Sequence, residues 1–134
     1  MTHRFNLFLV ALVSFGVLDG LWLGVFMGGF YKSQLSSLAR MSGDKLAPLW
    51  GPALFVYVLL AFGIVAFVVP RNYGEASILR GALFGLVVYG VYDLTNLATL
   101  RAWPVVLTLI DIAWGATASA VATWIVSVAH RLLR

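Results

Sequence analysis

The sequence predicts an all-α fold, an integral membrane four-helix bundle, and three observations carry this. Of 134 residues, 62% are hydrophobic and only 10% charged, whereas soluble domains carry about 25% charged residues. Four apolar stretches each reach the roughly 20 residues that a helix needs to cross the hydrocarbon core. None shows the period-2 alternation of a barrel strand. Lipid offers no partner to open backbone groups, so helices are the default.

The first span covers about residues 5–30. Thr2-His3-Arg4 ahead of it imitates a secretory signal. The apolar run is too long for a signal core, however, and no Ala-x-Ala site follows, so the segment reads as a retained helix. The second span, about 49–69, is opened by Pro48 and Pro52 and closed by Pro70. The third covers about 77–100. The fourth, about 104–129, is opened by Pro104. Proline in the first turn loses no bond that the helix could make. Residues 31–48 place Leu35, Leu38 and Met41 at helical spacing among polar residues, which fits a short interfacial helix or a solvated loop equally. Tyr31, Trp50, Tyr73, Trp103 and Trp124 fall near span boundaries, as an interfacial belt does. The whole chain, 1–134, is one transmembrane domain.

Four spans put both termini on one side. That side carries Arg4, Arg71, Arg80, Arg131 and Arg134; the other carries Lys32, Arg40, Lys45 and Arg101. The bias favours cytoplasmic termini. Residues 16–24 (GVLDGLWLG) align with 90–98 (GVYDLTNLA). The chain therefore reads as two helical hairpins that a parallel internal repeat could relate, an arrangement transporters use around a binding site.

Absent residues exclude several chemistries. There is no cysteine, hence no disulfide or thiolate site. The two histidines, His3 and His130, sit at opposite ends of the sequence, so a zinc site or a histidine-dependent triad is not expected. No G-x-S-x-G motif or phosphate-cradling loop occurs. The net charge of +4 comes from scattered cations, not the clustered patch of a nucleic-acid binder. No cofactor is implied.

Three acidic residues lie within spans: Asp19, Asp93 and Asp111. An aspartate at mid-helix costs roughly 2.5–3.5 kcal/mol on insertion scales, and such residues face the bundle interior, where they pair or serve an ion path. Counted from Tyr31, Arg101 and Pro104, all three fall roughly 10–18 Å below one surface at about 1.5 Å per residue. Neighbours three and four positions away share their faces. These are Phe15, Gly16 and Trp22 beside Asp19; Tyr89 and Asn96 beside Asp93; Thr108, Trp114 and Gly115 beside Asp111. A metal, if any, would be a hard cation held by oxygens of Asp19, Asp93 and Asp111. Gly16, Gly20, Gly24 and Gly28 make overlapping G-x-x-x-G steps, and Gly81 and Gly85 make another. With Gly115 these predict close helix packing, within the chain or between copies.

The segments LDGLWLG (18–24), FY (30–31), YDLTNLATL (92–100) and DIAWG (111–115), with the proline-led second helix, resemble a bacterial family of predicted membrane proteins, domain-of-unknown-function family 2177. The resemblance covers nearly the whole chain. It implies a four-helix protein of the bacterial inner membrane. It marks Asp19, Trp22, Tyr92, Asp93, Thr95, Asn96, Thr99, Asp111, Trp114 and Gly115 as motif positions, and it carries no activity with it. The leading expectation is a protein that binds or transports a cation, protons or a small polar or cationic molecule at the aspartate cluster. Four helices are few for a transporter, so a homo-oligomer, a dimer, is expected as partner besides the lipid bilayer. One alternative is a lipid-modifying enzyme or accessory that uses an aspartate as acid or base. The other is a structural scaffold.

Overall fold

The structure, a computed structural model, describes residues 2–70 and 76–133. Arg71, Tyr73, Glu75 and Arg134 lie outside the described residues. The elements run in the order α1 (Thr2–Leu21), α2 (Gly28–Leu35), β1 (Met41–Ser42), β2 (Lys45–Leu46), α3 (Trp50–Gly63), α4 (Ile78–Thr99) and α5 (Val105–Leu132). α1 and α3 each continue into a π-helical turn, Trp22–Phe26 and Ile64–Val68. Four segments are long and apolar enough to cross a membrane: Thr2–Phe26, Trp50–Val68, Ile78–Thr99 and Val105–Leu132. The protein is an all-α membrane bundle.

Local chemistry explains the ends. Pro104 occupies the N-cap of α5 in extended geometry. The Ser77 side chain caps α4 by accepting from the Arg80 amide. The first span stops at Phe26, not near residue 30, because Met27 leaves helical geometry at φ −123° and ψ 5°. Its amide still bonds back to the Trp22 carbonyl at 2.7 Å, five residues away, which widens the turn and swings α2 across the end of the bundle. Gly28 is required here, since a Cβ would run into the Leu23 carbonyl oxygen. The helical spacing of Leu35, Leu38 and Met41 does not produce one continuous helix. α2 ends at Leu35, and Met41–Ser42 pairs antiparallel with Lys45–Leu46. Gly43 at φ 58° supplies the left-handed residue that such a two-residue loop needs.

α4 packs on α5 along most of its length, and α1 packs on both α5 and α3. The core lies among α1, α3 and α5, with Leu7, Ala11 and Phe15 against Leu60, Ala61 and Ile64 and against Ala118, Ala122 and Val126. Most large apolar side chains point outward instead, Val13, Phe55 and Leu83 among them, as a chain solvated by lipid permits. α3 reaches α4 chiefly through its final π-helical turn. At the end of the bundle that carries both termini, His3 Nε2 meets His130 Nδ1 at 2.8 Å, and the Arg4 guanidinium donates to the Val65 carbonyl.

The glycines divide into two groups. A Cβ on Gly81 would strike Thr123 and the Ser119 carbonyl, one on Gly85 the Gly115 carbonyl, and one on Gly115 the Tyr89 ring. These glycines set the close approach of α4 and α5. Gly16, Gly20 and Gly24 meet nothing within the chain.

Candidate functional site

Asp19 and Asp111 open onto one cavity of about 160 Å³. α1 contributes Asp19. Its π-helical turn places Trp22 beside Trp114 of α5, the indoles stacked at 4.3 Å and 1°. Trp114 Nε1 donates to Asp19 Oδ1 at 2.7 Å, and the Tyr57 phenol of α3 lies against the same carboxyl. Trp22 Nε1 donates to the Tyr31 hydroxyl at 3.1 Å, and Tyr31 donates to Asp111 Oδ1 at 2.6 Å. The two carboxyls are thus joined through the stacked indoles and one phenol. Tyr31 lies on α2, outside the spans, and is buried. Burial first, then the bond to Asp111, raises its pKa above the ordinary value. The phenol therefore stays protonated, and stays a donor, across the physiological range.

Tyr89, Tyr92 and Trp103 complete the aromatic wall, and among the described residues no Lys, Arg or His lines the cavity. The Tyr92 and Trp103 rings meet edge to face at 5.9 Å. The Trp103 indole also donates to the Thr108 hydroxyl, which in turn donates to the Pro104 carbonyl. Thr108 therefore anchors the start of α5 and does not line this cavity.

Asp93 is fully buried, and no amide, indole or phenol among the described residues donates to its oxygens. The Asp111 carboxyl lies beside it, close enough for a carboxyl–carboxyl hydrogen bond. Asp93 stands behind the cavity wall. Asn96, half-buried, reaches the Tyr92 phenol. Thr95 lies on the exposed face of α4. So Asp19, Trp22, Tyr89, Tyr92, Asp111 and Trp114 meet at the cavity, while Asp93, Thr95, Asn96 and Thr108 do not line it.

Among the described residues no three His, Cys, Asp or Glu side chains are grouped to hold a metal ion. Asp19 already accepts from Trp114 and Asp111 from Tyr31, so a hard cation held by oxygens of Asp19, Asp93 and Asp111 would compete with both bonds.

Tyr31, Tyr57 and Trp103 are site residues that the sequence argument did not select. Tyr31 and Trp103 looked like boundary aromatics. Tyr57 had a usable signal, because its hydroxyl is the only one in the apolar second span.

The chain matches the family described as predicted membrane protein (DUF2177) over residues 4–128. It belongs to that family. The match reaches all four spans and takes in every residue that lines the cavity of this family member. No curated relative and no solved structure matches.

Tyr31→Phe removes the phenol that donates to Asp111 at 2.6 Å. A hydrogen bond to a charged group contributes about 1.5–3 kcal/mol. Reversible unfolding in detergent should show a loss in that range for Tyr31→Phe. Wild-type stability in the variant means that the Tyr31–Asp111 bond contributes nothing.

Proposed function

We propose that this integral membrane protein binds, and in the membrane carries, a small organic cation of the ammonium class between Asp19 and Asp111. The cavity lining carries this reading: two carboxyls and six aromatic rings, with no basic side chain among the described residues. An ammonium group is attracted to the faces of Trp and Tyr rings by about 0.5–2 kcal/mol per contact, more when desolvated. The carboxyls supply the opposite charge in a region of low effective dielectric. A volume near 160 Å³ equals that of the ~150 Å³ cavities that admit benzene, which suits a methylated ammonium head. Mg²⁺ asks instead for an octahedron of oxygens, and rings cannot provide one.

A scaffold role accounts for the bonded carboxyls of Asp19 and Asp111 but not for a cavity lined by those carboxyls and six aromatic rings. A lipid-acting enzyme is a second reading, favoured by a second space of about 320 Å³ that shares Asp19 and Asp111 and is walled by Val56, Leu60 and Val88. The same proposal keeps both termini in the cytoplasm of a bacterial inner membrane, on the arginine bias. It also keeps a second copy of the chain as partner, supported by the open face at Gly16, Gly20 and Gly24.

The test is thermal unfolding of the purified protein in tetramethylammonium, choline, sodium and magnesium chlorides at matched ionic strength. A ligand that binds only the folded state at 100 times its Kd stabilises by about 2.7 kcal/mol. Tetramethylammonium and choline should raise the midpoint by several degrees over sodium and magnesium. Equal shifts in all four salts would overturn the proposal.

A further inference from the structure

α3 and α4 converge at one end and part at the other. They touch where Gly63 leaves room for the Phe84 ring, which a Cβ at Gly63 would strike, and through Ile64–Val68. Toward the aspartates they separate, and two spaces follow one another in the gap. One, about 320 Å³, has Asp19, Asp111, Tyr89 and Tyr92 at its head and Val56, Leu60 and Val88 as walls. The next, about 330 Å³, shares those three walls and ends among Phe67 and Phe84. The aspartate cavity shares Asp19, Tyr89, Tyr92 and Asp111 with the first space. Charge and aromatic rings thus lie at one end and aliphatic and phenyl walls at the other. Val56, Leu59 and Phe62 on the rim are more than half exposed, so in a bilayer the gap opens sideways into hydrocarbon.

We infer that the ligand is a single-chain amphiphile, an ammonium head on a long alkyl tail, with the head between Asp19 and Asp111 and the tail in the α3–α4 gap. This rests on the cation-binding proposal and adds the tail to it. Charge complementarity selects the head, because carboxyls without a cation repel a fatty-acid carboxylate and attract an ammonium. Connection of the two spaces selects the tail. About 16 Å of helix separates Val56 from Phe67 at 1.5 Å per residue, the length of a long alkyl chain. One gap holds one chain, so a two-chain phospholipid is a poorer match. A head drawn inward to Asp19 also leaves the headgroup layer, which an ordinary lipid has no reason to do.

The experiment uses the full chain in phosphatidylcholine nanodiscs and a dodecylammonium probe with a diazirine midway along its tail. After irradiation, peptide mapping should place the label on the segments around Val56–Leu60 and Phe84–Val88. Excess dodecyltrimethylammonium should remove it, and dodecanoate should not. Affinity corrected for bilayer partition should be at least tenfold tighter for dodecyltrimethylammonium than for tetramethylammonium. Val56→Trp, at an exposed rim position, should cut the dodecyltrimethylammonium affinity at least tenfold by narrowing the gap. Label spread evenly over the outer helix faces, or equal competition by dodecanoate, overturns the inference, as does label-dependent crosslinking of a second chain across the gap. If tetramethylammonium binds as tightly as the dodecyl compound, the tail falls and the cation site stands. If neither binds, both fall.

Discussion

Asp111→Asn should weaken organic-cation binding by about a hundredfold while the protein still folds. The carboxyl meets the cavity directly and is held by the Tyr31 hydroxyl. An amide oxygen can still accept from that phenol, so the local geometry survives. What is lost is the charge. Truncating one member of a buried, hydrogen-bonded charge pair costs about 2–5 kcal/mol, and each 1.4 kcal/mol is roughly tenfold in affinity. Asp19→Asn should behave alike, since Trp114 can donate to the amide oxygen as it does to the carboxylate. Asp93→Asn is the contrast. Asp93 is buried outside the cavity lining and does not touch the bound cation, so cation affinity should change less than about tenfold, or about 1.4 kcal/mol. Titration of the thermal shift with tetramethylammonium measures all three. Wild-type affinity in Asp111→Asn would refute the assignment. A fall in stability with no ligand response in any variant would assign the carboxyls to scaffolding.

Gly85→Leu should destabilise the protein by about 3 kcal/mol or more. A Cβ at Gly85 already overlaps the Gly115 carbonyl and the Ser119 hydroxyl, so the larger side chain forces α4 away from α5. Overpacking costs typically 1–3 kcal/mol and occasionally more. Here the strain acts at the most extensive helix contact and also shifts Tyr89, which lines the cavity. Membrane helices have no hydrophobic drive toward one another and rely on close packing, so nothing compensates for the separation. Gly20→Leu is the control. Its Cβ meets open space within the chain, and a surface change away from such contacts falls within about 0.5 kcal/mol. Unfolding in detergent with light-scattering mass measurement separates two cases. Destabilised Gly85→Leu beside stable Gly20→Leu places the packing seam between α4 and α5. A Gly20→Leu protein that loses mass from dimer to monomer places a second seam between copies of α1.

The number, order and approximate limits of the spans were legible in the residues alone, because these rest on local terms. Apolar length, the prolines at 48, 52, 70 and 104, and the absence of strand periodicity act within one segment. The sequence also singled out Asp19, Asp93 and Asp111, because a carboxyl within a span is costly in any fold. Where a non-local bond intervened, legibility failed. The helical spacing of Leu35, Leu38 and Met41 lost to a hairpin turning at Gly43, and the first span gave way at Met27, where Gly28 closes on the Leu23 carbonyl. Only the tertiary structure decided which aspartates face the cavity and which is walled off. A rotation of tens of degrees about a helix axis exchanges those places, and hydropathy does not encode it. The same holds for Tyr31 and Tyr57. They reach Asp111 and Asp19 across 80 and 38 residues of chain, because α2 folds over the bundle and α3 leans on α1. The gap between α3 and α4 is the plainest case. It exists because packing holds those helices together at Gly63 and Phe84, while α3 otherwise packs chiefly on α1.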